Sequence, residues 1–283
     1  MNLTSKIKSV VTNRSMLSAY ARWVGSRLLT GKPPRLSLSG GASIGEWLSF
    51  SEYWSFQNAV PKPERLFVER CLANKSAAVP TAIDIGANVG AFTCLTASIG
   101  YTVHAFEPIP ETFCRLKSNV KFNGLLDRTR LNCLAAGKEQ GLVTFQIQEN
   151  SPATNRMAIP GALSANTAAS SQTVSVVSLD GYCTAQGIVS VDFLKVDVEG
   201  MEPYVLQGAR NLFRARKIAA VLIEICPWNL RAVGLSPAAL FHEFEVIGYS
   251  PCALNEDGSP GAKLSLRDIE AMTLANIVLQ PNS

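Results

Sequence analysis

The sequence predicts a doubly wound α/β fold with an inserted β-hairpin and an N-terminal helical extension. From residue 81 onwards, short apolar runs alternate with helical segments, which is the pattern of a parallel sheet covered by helices. Hydrophobic residues make up 47% of the 283 residues and charged residues 17%, a balance typical of globular chains and not of disordered ones. At this length we expect one α/β core with added segments.

Residues 1–60 are predicted to form the extension, and residues 61–283 the main domain. In residues 5–29, apolar side chains recur at helical spacing and basic side chains mostly lie off that stripe, which predicts an amphipathic helix. Residues 31–41 are rich in Gly, Pro and Ser and predict a linker. We expect the helix to pack on its own domain or on a second subunit of a homodimer, with contact to an anionic membrane surface as the alternative.

An aromatic cluster follows the linker, and six strands and five helices are predicted after it. We expect the cluster to pack in the core or under a lid rather than to line a pocket; it contains Trp47, Phe50, Tyr53, Trp54 and Phe56. The predicted strands are Thr81 to Ile85, Val103 to Phe106, Thr129 to Ala135, Val191 to Val196, Ala219 to Ile225 and Leu274 to Leu279. The predicted helices cover about residues 62–74, 90–99, 110–123, 202–215 and 236–247.

An insertion is predicted between the third and fourth of these strands. Residues 142–148 and 173–179 alternate apolar and polar side chains, as paired strands do. They flank a loop at 151–172 that is rich in Ser, Ala and Asn. This pattern predicts a hairpin with a loop at its tip.

Charge and cysteine content argue against several classes of protein. The net charge is +4, but seven of the 26 basic residues and no acid lie in residues 1–35, which leaves 19 basic against 22 acidic residues elsewhere. A slightly acidic body argues against a nucleic-acid partner. The seven cysteines are scattered without a CxxC pair, which indicates free thiols in a reducing, cytoplasmic compartment. We identify no transmembrane segment and no signal peptide.

The strongest local motif is AIDIGANVG at residues 82–90, where an apolar strand runs through a turn of small residues into a helix. Small residues let backbone N–H groups approach a ligand, and the helix N-terminus favours a negative group. Glu107 lies 21 residues after Gly86 in the motif FEP, the separation at which an acid reaches a ribose in a βαβ unit. The candidate cofactor-binding residues are Asp84, Gly86, Ala87, Asn88, Gly90, Glu107 and Pro108.

The turn favours one class of nucleotide-type cofactor over another. A dinucleotide turn requires G-x-G-x-x-G to seat a pyrophosphate, whereas this turn has two glycines separated by three other residues. Asp84 beside the turn suits a ligand that carries an ammonium group, as an amino-acid-derived cofactor does.

The densest polar cluster is the segment FLKVDVEGME at residues 193–202, at the carboxyl end of a predicted buried strand. In open α/β sheets, ligands bind outside these strand ends. Both histidines, His104 and His242, are predicted to be structural, which leaves a carboxylate as the candidate base. Glu202 precedes Pro203 at a helix start, so capping and catalysis remain open for it. We predict no metal site, because the cluster lacks a partnering Asp-Asn pair.

Four motifs, DIGANVG, FEP, LKVDVEGMEPYVLQGA and IEICP, resemble the FkbM-type methyltransferases over about residues 80–280. The resemblance implies a class I methyltransferase (Rossmann-like) sheet with S-adenosylmethionine as donor. It implies O-methylation of a hydroxyl on a sugar, glycan or natural-product small molecule, with N-methylation as the alternative. It also implies that Asp84, Gly86, Asn88 and Gly90 hold the methionine part of the cofactor, Glu107 the ribose, and the segment from Asn132 to Ala135 the adenine.

Methyl transfer to a hydroxyl needs a group that accepts the hydroxyl proton. Asp197 is the first candidate for this base and Glu199 the second, with Glu224 on the neighbouring strand as a group that orients the acceptor. Residues that contact the acceptor are expected at 41–60, at 151–172 and in the loop after Cys226, which contains Trp228 and Arg231.

Two other classes of function remain open from the residues alone. Glu107 would also permit a nicotinamide-dependent oxidoreductase, although the third glycine of that turn is missing and no Tyr-Lys or His pair is evident. A binding module that keeps the fold without the chemistry is the other alternative, against which the intact Asp84, Glu107 and Asp197 argue.

Overall fold

The computed structural model describes residues 14–58, 60–73, 79–147, 156–157 and 170–282. The strands are β1 (Leu36–Ser37), β2 (Ser43–Ile44), β3 (Thr81–Ile85), β4 (Thr102–Phe106), β5 (Thr129–Asn132), β6 (Ala135–Ala136), β7 (Gly141–Ile147), β8 (Arg156–Met157), β9 (Ser170–Val177), β10 (Phe193–Val196), β11 (Val221–Ile225), β12 (Tyr249–Leu254), β13 (Pro260–Lys263) and β14 (Ala275–Pro281). The helices are α1 (Arg14–Thr30), α2 (Phe50–Ser55), α3 (Lys62–Ala73), α4 (Ala91–Ser98), α5 (Pro110–Phe122), α6 (Leu179–Gln186), α7 (Glu202–Gln207), α8 (Arg210–Arg214), α9 (Pro227–Ala232), α10 (Pro237–Ile247) and α11 (Leu266–Ala271).

The central sheet has eight strands in the order β13-β12-β14-β11-β10-β3-β4-β5. The run from β11 to β5 is parallel, whereas β14 is antiparallel to β11 and to β12. The chain starts the parallel part at β3, adds β4 and β5 on one side, and then crosses to β10 on the other. A crevice therefore forms between β3 and β10 at their carboxyl ends, which is where open α/β sheets bind ligands.

Helices cover both faces of the central sheet, so its inner strands are apolar on both sides. In β10 the neighbouring residues Phe193 and Leu194 are both buried, and they belong to two different cores. The core that contains Leu194 packs against α6 to α11. The core that contains Phe193 packs against α1 to α5. This arrangement confirms the predicted doubly wound fold.

The N-terminal segment packs on the second of these cores. Trp23 of α1 is 6% exposed, and its ring centroid lies 5.4 Å from that of the buried Tyr53. Trp47 is also buried, which confirms a core position for this part of the aromatic cluster. Residues 1–13, the start of the predicted helix, lie outside the described residues. The division of the chain at residue 60 remains a prediction.

The predicted linker at 31–41 is more ordered than its composition indicates. β1 pairs with β2, and Arg35 donates from Nη2 to Oδ1 of Asn119 on α5 at 2.8 Å. The buried Asn119 also accepts from the backbone N–H of Gly45 at 2.9 Å. These long-range bonds fix the segment on the domain, and such contacts leave no trace in local composition.

A second sheet, in the order β6-β9-β7-β8, contains the predicted hairpin. β7 and β9 pair antiparallel over seven residue pairs from Gly141↔Val176 to Ile147↔Ser170. Within the predicted tip loop at 151–172, the structure describes 156–157 and 170–172. The insertion is therefore a small sheet that stands beside the central one.

Three boundaries differ from the sequence prediction. The predicted third strand divides at Cys133, because Ala135 pairs with Val176 of the second sheet instead of continuing β5. Residue 179, predicted to end the hairpin, begins α6. The predicted helix 202–215 is interrupted at Gly208, where a Cβ atom would collide with the carbonyl oxygen of Gly137.

Several elements were not predicted, namely β1, β2, β6, β8, β12, β13, α2, α6, α9 and α11. Most of them are short, with two to six residues, so their periodicity is too brief to detect. Among the described residues, every helix is too short or too polar to cross a lipid bilayer.

Candidate functional site

A cavity of about 480 Å³ lies at the carboxyl ends of β3, β4, β10 and β11. Its volume is in the range of small-molecule and cofactor sites. One wall is formed by the turn after β3 and by the end of β4. The rest of the lining comes from the end of β10, from Glu224 on β11, and from residues 134–143 of the second sheet and its connections.

The turn after β3 is built on two glycines with positive φ. Gly86 has a φ of 83°, and a Cβ atom there would collide with the backbone oxygen of Asp197, which directly follows β10. Gly90 has a φ of 91° at the start of α4, where a Cβ atom would lie 2.6 Å from a methyl group of Leu116. Glycine at both places lets the backbone pass close to its neighbours. The tight turn predicted from the sequence is therefore present, and its role in holding a cofactor remains a prediction.

Two polar side chains lie at this turn: Asp84 at the end of β3 is buried, and Asn88 in the turn is half-buried. Asp84 accepts a hydrogen bond at Oδ2 from the Thr93 hydroxyl at 2.6 Å, and burial raises its pKa to about 6. Asn88 has a φ of 50°, and its Oδ1 atom is buried without a hydrogen-bond partner among the described residues. A buried acceptor without a donor fits a ligand that brings an N–H or ammonium group. Both residues line the cavity.

Glu107 closes the turn from the end of β4. Its Oε2 accepts from the backbone N–H of Asn88 at 3.1 Å, and its Oε1 accepts from the backbone N–H of Ile109 at 3.0 Å. Burial nonetheless raises the pKa of Glu107 to about 7. Each carboxylate oxygen keeps a second lone pair, so the side chain can still accept from two ligand hydroxyls. Pro108 lies beside it on the same wall.

Asn132, at the end of β5, makes contacts within the protein. Its Nδ2 donates to the carbonyl of Ala105 at 3.1 Å, and its Oδ1 accepts from the Tyr182 hydroxyl at 3.2 Å. The same hydroxyl lies 2.8 Å from Nδ1 of the buried His104, which gives that histidine a structural partner. Residues 134–136, and not Asn132, line the cavity at this place. The role of Asn132 in cofactor binding remains a prediction.

Asp197 and Lys195 form a partly buried ion pair at the end of β10. Lys195 Nζ lies 3.3 Å from Asp197 Oδ2. The lysine side chain is 4% exposed and the aspartate side chain 32% exposed, so the ammonium lies deep and the carboxylate faces the cavity. The same ammonium donates to Oδ1 of Asn276 at 3.1 Å.

Glu224 lies beside Asp197 on the neighbouring strand. The parallel register pairs Val196 with Ile223, which places the next residues of β10 and β11 side by side. Burial, and then the negative charge of Asp197, raise the pKa of Glu224 to about 8. Glu224 is therefore protonated near neutral pH, and the charge of its neighbour Asp197 is one of the causes.

The other two acids of this segment have different surroundings. Glu199 has a φ of 54°, lines the cavity and accepts a short hydrogen bond from Nδ2 of Asn229. Glu202 is buried, and its Oε1 accepts from the backbone N–H of Gly200 at 3.0 Å. Burial raises the pKa of Glu202 to about 7. Glu202 therefore holds the turn that precedes α7, and the choice between capping and catalysis for it remains open.

Several cavity residues were not predicted. They are Phe92, Lys138, Glu139, Leu142, Val143, Phe145, Met201 and Tyr204. Most lie in the second sheet and its connections, where the alternating pattern predicts strands but not which face meets a ligand. Of the predicted acceptor segments, Phe56 lines the cavity, whereas Trp228 and Arg231 do not. Among the described residues, no group of three His, Cys, Asp or Glu side chains is arranged to hold a metal ion.

Comparison with known proteins identifies relatives of this chain. It is 27% identical to the hexuronic acid methyltransferase AglP of Haloferax volcanii, over 72% of this chain and 79% of that protein. It is 26% identical to the 31-O-demethyl-FK506 methyltransferase FkbM of Streptomyces tacrolimicus, over 56% of this chain and 73% of that protein. Among solved structures, the SAM-dependent methyltransferase from Agrobacterium tumefaciens aligns with a TM-score of 0.47 at 11% identity, covering 88% of this chain and 69% of that one.

The family profile described as the methyltransferase FkbM domain matches residues 84–250, more than half of the chain. This range contains the turn after β3, Glu107, Asp197 and Glu224. By this match the chain belongs to the FkbM methyltransferase family.

Proposed function

We propose that this enzyme transfers a methyl group from S-adenosylmethionine to a hydroxyl of a sugar, glycan or natural-product small molecule. The observation that carries the proposal is that one cavity contains both a cofactor cradle and a carboxylate pair. The cradle is built from Gly86, Asn88 and Glu107, and the pair consists of Asp197 and Glu224.

The cofactor half of the cavity suits S-adenosylmethionine in its polar groups. Asp84 and Oδ1 of Asn88 offer acceptors for the ammonium group of an amino acid, and Glu107 offers acceptors for ribose hydroxyls. Of residues 86–88, only Ala87 and Asn88 carry side chains, so the backbone can approach the ligand closely. When bound, the cofactor supplies an electrophilic methyl group.

The acceptor half of the cavity supplies a base. Asp197 is partly exposed to the cavity and takes the proton of the acceptor hydroxyl, while the Lys195 ammonium pairs with its carboxylate at 3.3 Å. Glu224 holds a proton near neutral pH and can donate a hydrogen bond that orients the acceptor oxygen. Glu199, fixed by Asn229, is the second candidate base. Most of the rate enhancement would come from proximity and orientation in the enclosed cavity.

The apolar side chains in the cavity lining support a ring-shaped acceptor. Leu142, Val143, Phe145 and Tyr204 present apolar surface beside the carboxylate pair. Sugar rings offer hydroxyls on a partly apolar frame, and the two relatives are named for a hexuronic acid and for 31-O-demethyl-FK506.

Three further expectations belong to this proposal. All seven cysteines are free thiols, which supports the reducing, cytoplasmic compartment that the sequence predicts. Association into a homodimer and the separate character of residues 1–60 are proposed on the sequence pattern. The exposed Leu28 and Leu29 of α1 are the surface on which a second subunit would first be sought.

The proposal is tested by calorimetric titration with S-adenosylhomocysteine and, separately, with NAD⁺ and NADP⁺. We expect micromolar binding of S-adenosylhomocysteine that Glu107→Ala weakens at least about tenfold, or about 1.4 kcal/mol. The matched control is Glu111→Ala, which removes an exposed acid four residues along the chain and should leave binding unchanged. Binding of a nicotinamide cofactor alone would replace the proposal with the oxidoreductase alternative.

A further inference from the structure

The residue that carries this inference, Asn276, lies on β14, outside the range that the family profile matches. β14 runs antiparallel to β11 and pairs Asn276 directly with Glu224. Side chains of directly paired residues point to the same face of a sheet. Asn276 therefore faces the same side as the carboxylate pair, although it lies more than fifty residues further along the chain.

Asn276 contacts the ammonium group of Lys195, which is nearly excluded from water. This ammonium donates to Oδ1 of Asn276 at 3.1 Å and to Oδ2 of Asp197 at 3.3 Å. The centroid of the Phe92 ring lies 5.7 Å from Nζ of Lys195. A buried ammonium requires acceptors for its donors, so the amide is half of the hydrogen bonding that keeps Lys195 in place.

The chemical nature of this partner matters. An amide oxygen accepts a hydrogen bond but carries no net charge, so it fixes the ammonium without neutralising it. A carboxylate in the same place would cancel much of the positive charge that reaches Asp197 and Glu224. The chain thus places one uncharged acceptor behind a lysine whose charge is directed at two acids.

We propose that Asn276 is a positioning residue. It holds the Lys195 ammonium against Asp197 and Glu224, so that its positive charge acts on both carboxyl groups at the place where Asp197 accepts the substrate proton. The inference rests on the proposed role of Asp197 as base. The other charged groups that act on the pair are Glu199 and Glu202 from the segment after β10 and Asp84 from β3.

The test is a ¹³C NMR titration of the Glu224 carboxyl carbon in protein labelled at glutamate, with the signal assigned by Glu224→Gln. Lys195→Met should raise the apparent pKa of Glu224, because it removes a neighbouring positive charge. Asn276→Leu should raise it in the same direction by about half a pH unit or more, since the ammonium loses its fixed place. Asn276→Ala is the second variant, should the leucine not be accommodated.

The matched control is Asn282→Ala, which removes an asparagine side chain near the end of the same strand, where it bonds Ser250 and not the cavity. It should leave the titration of Glu224 unchanged. A Glu224 titration that shifts in Lys195→Met but stays at its wild-type position in both Asn276 variants would overturn the inference. The titration needs no methyl acceptor, so this outcome is distinct from a failure to bind S-adenosylhomocysteine, which would count against the proposed function instead.

Discussion

The two halves of the cavity are built in different ways. The proposed cofactor half comes mainly from one continuous stretch, β3 to β4, in which backbone N–H groups and glycines determine the shape. The proposed acceptor half gathers side chains from the ends of β10 and β11, from β14 and from β7 of the second sheet, over residues 142–276. The first half is thus a local structure that depends on backbone conformation, whereas the second depends on charges that meet only in the folded sheet.

We expect the largest effect from a substitution that disables the acceptor half and leaves the cofactor half intact. Asp197→Asn removes the proposed base and should lower the rate of methyl transfer about 10²- to 10⁴-fold, while S-adenosylhomocysteine binds within about threefold of wild type. The rate is measured with saturating S-adenosylmethionine and a hydroxyl acceptor identified with the wild-type enzyme. Glu199→Gln is the matched variant and should cost less. A larger loss in Glu199→Gln than in Asp197→Asn would exchange the roles of the two acids.

We expect the second largest effect from a substitution that disrupts the cofactor half. Gly86→Ala places a Cβ atom against the Asp197 carbonyl at a positive φ, which should destabilise the fold by about 2 to 4 kcal/mol and abolish measurable cofactor binding. Urea denaturation and titration with S-adenosylhomocysteine measure the two quantities.

The control for this variant is Gly100→Ala. Gly100 also has a positive φ, of 120°, but a Cβ atom there meets no other atom within 4 Å. The Gly100→Ala variant should therefore lose only the stability that backbone strain costs, about 1 to 2 kcal/mol. It should still bind S-adenosylhomocysteine. Equal effects of the two substitutions would show that close approach at Gly86 contributes nothing.

The same difference explains what could be predicted from the sequence. The strand, turn and acid from Asp84 to Glu107 could be identified because they follow one another at fixed spacing. The acids of the acceptor half were predicted as single candidates, but the place of Asn276 under Lys195 could not be, since it depends on how β14 pairs with β11.

The fold shows the same limit on a larger scale. The main strands of the parallel sheet were predicted, because buried parallel strands are continuous apolar runs. The sheet formed by β6 to β9 was predicted as a hairpin, whereas its role as a cavity wall was not. Short elements such as α9 depend on tertiary contacts, which a local sequence pattern cannot reveal. The same holds for the hydrogen bond from Arg35 to Asn119.

We expect the smallest effect from a substitution of Glu202, an acid that supports the acceptor half of the cavity but does not face the ligand. Burial raises the pKa of Glu202 to about 7 from an ordinary value of 4.5. Between these two pH values the folded state keeps a proton that the unfolded state has lost. The stability linked to this group is therefore complete below about pH 4.5 and is lost as the pH rises through 7. Glu202→Gln removes the titration but keeps an acceptor for the N–H of Gly200.

We therefore expect Glu202→Gln to gain about 1 to 3 kcal/mol relative to wild type between pH 5 and pH 8, measured by urea denaturation at both values. The exposed Glu111→Gln should show the same difference from wild type at each pH. Saturating S-adenosylhomocysteine should leave the gain of Glu202→Gln in place, since this acid bonds the turn before α7 and does not line the cavity. If the gain disappeared with ligand bound, Glu202 would be coupled to the cofactor half, and the separation between the two halves would be wrong.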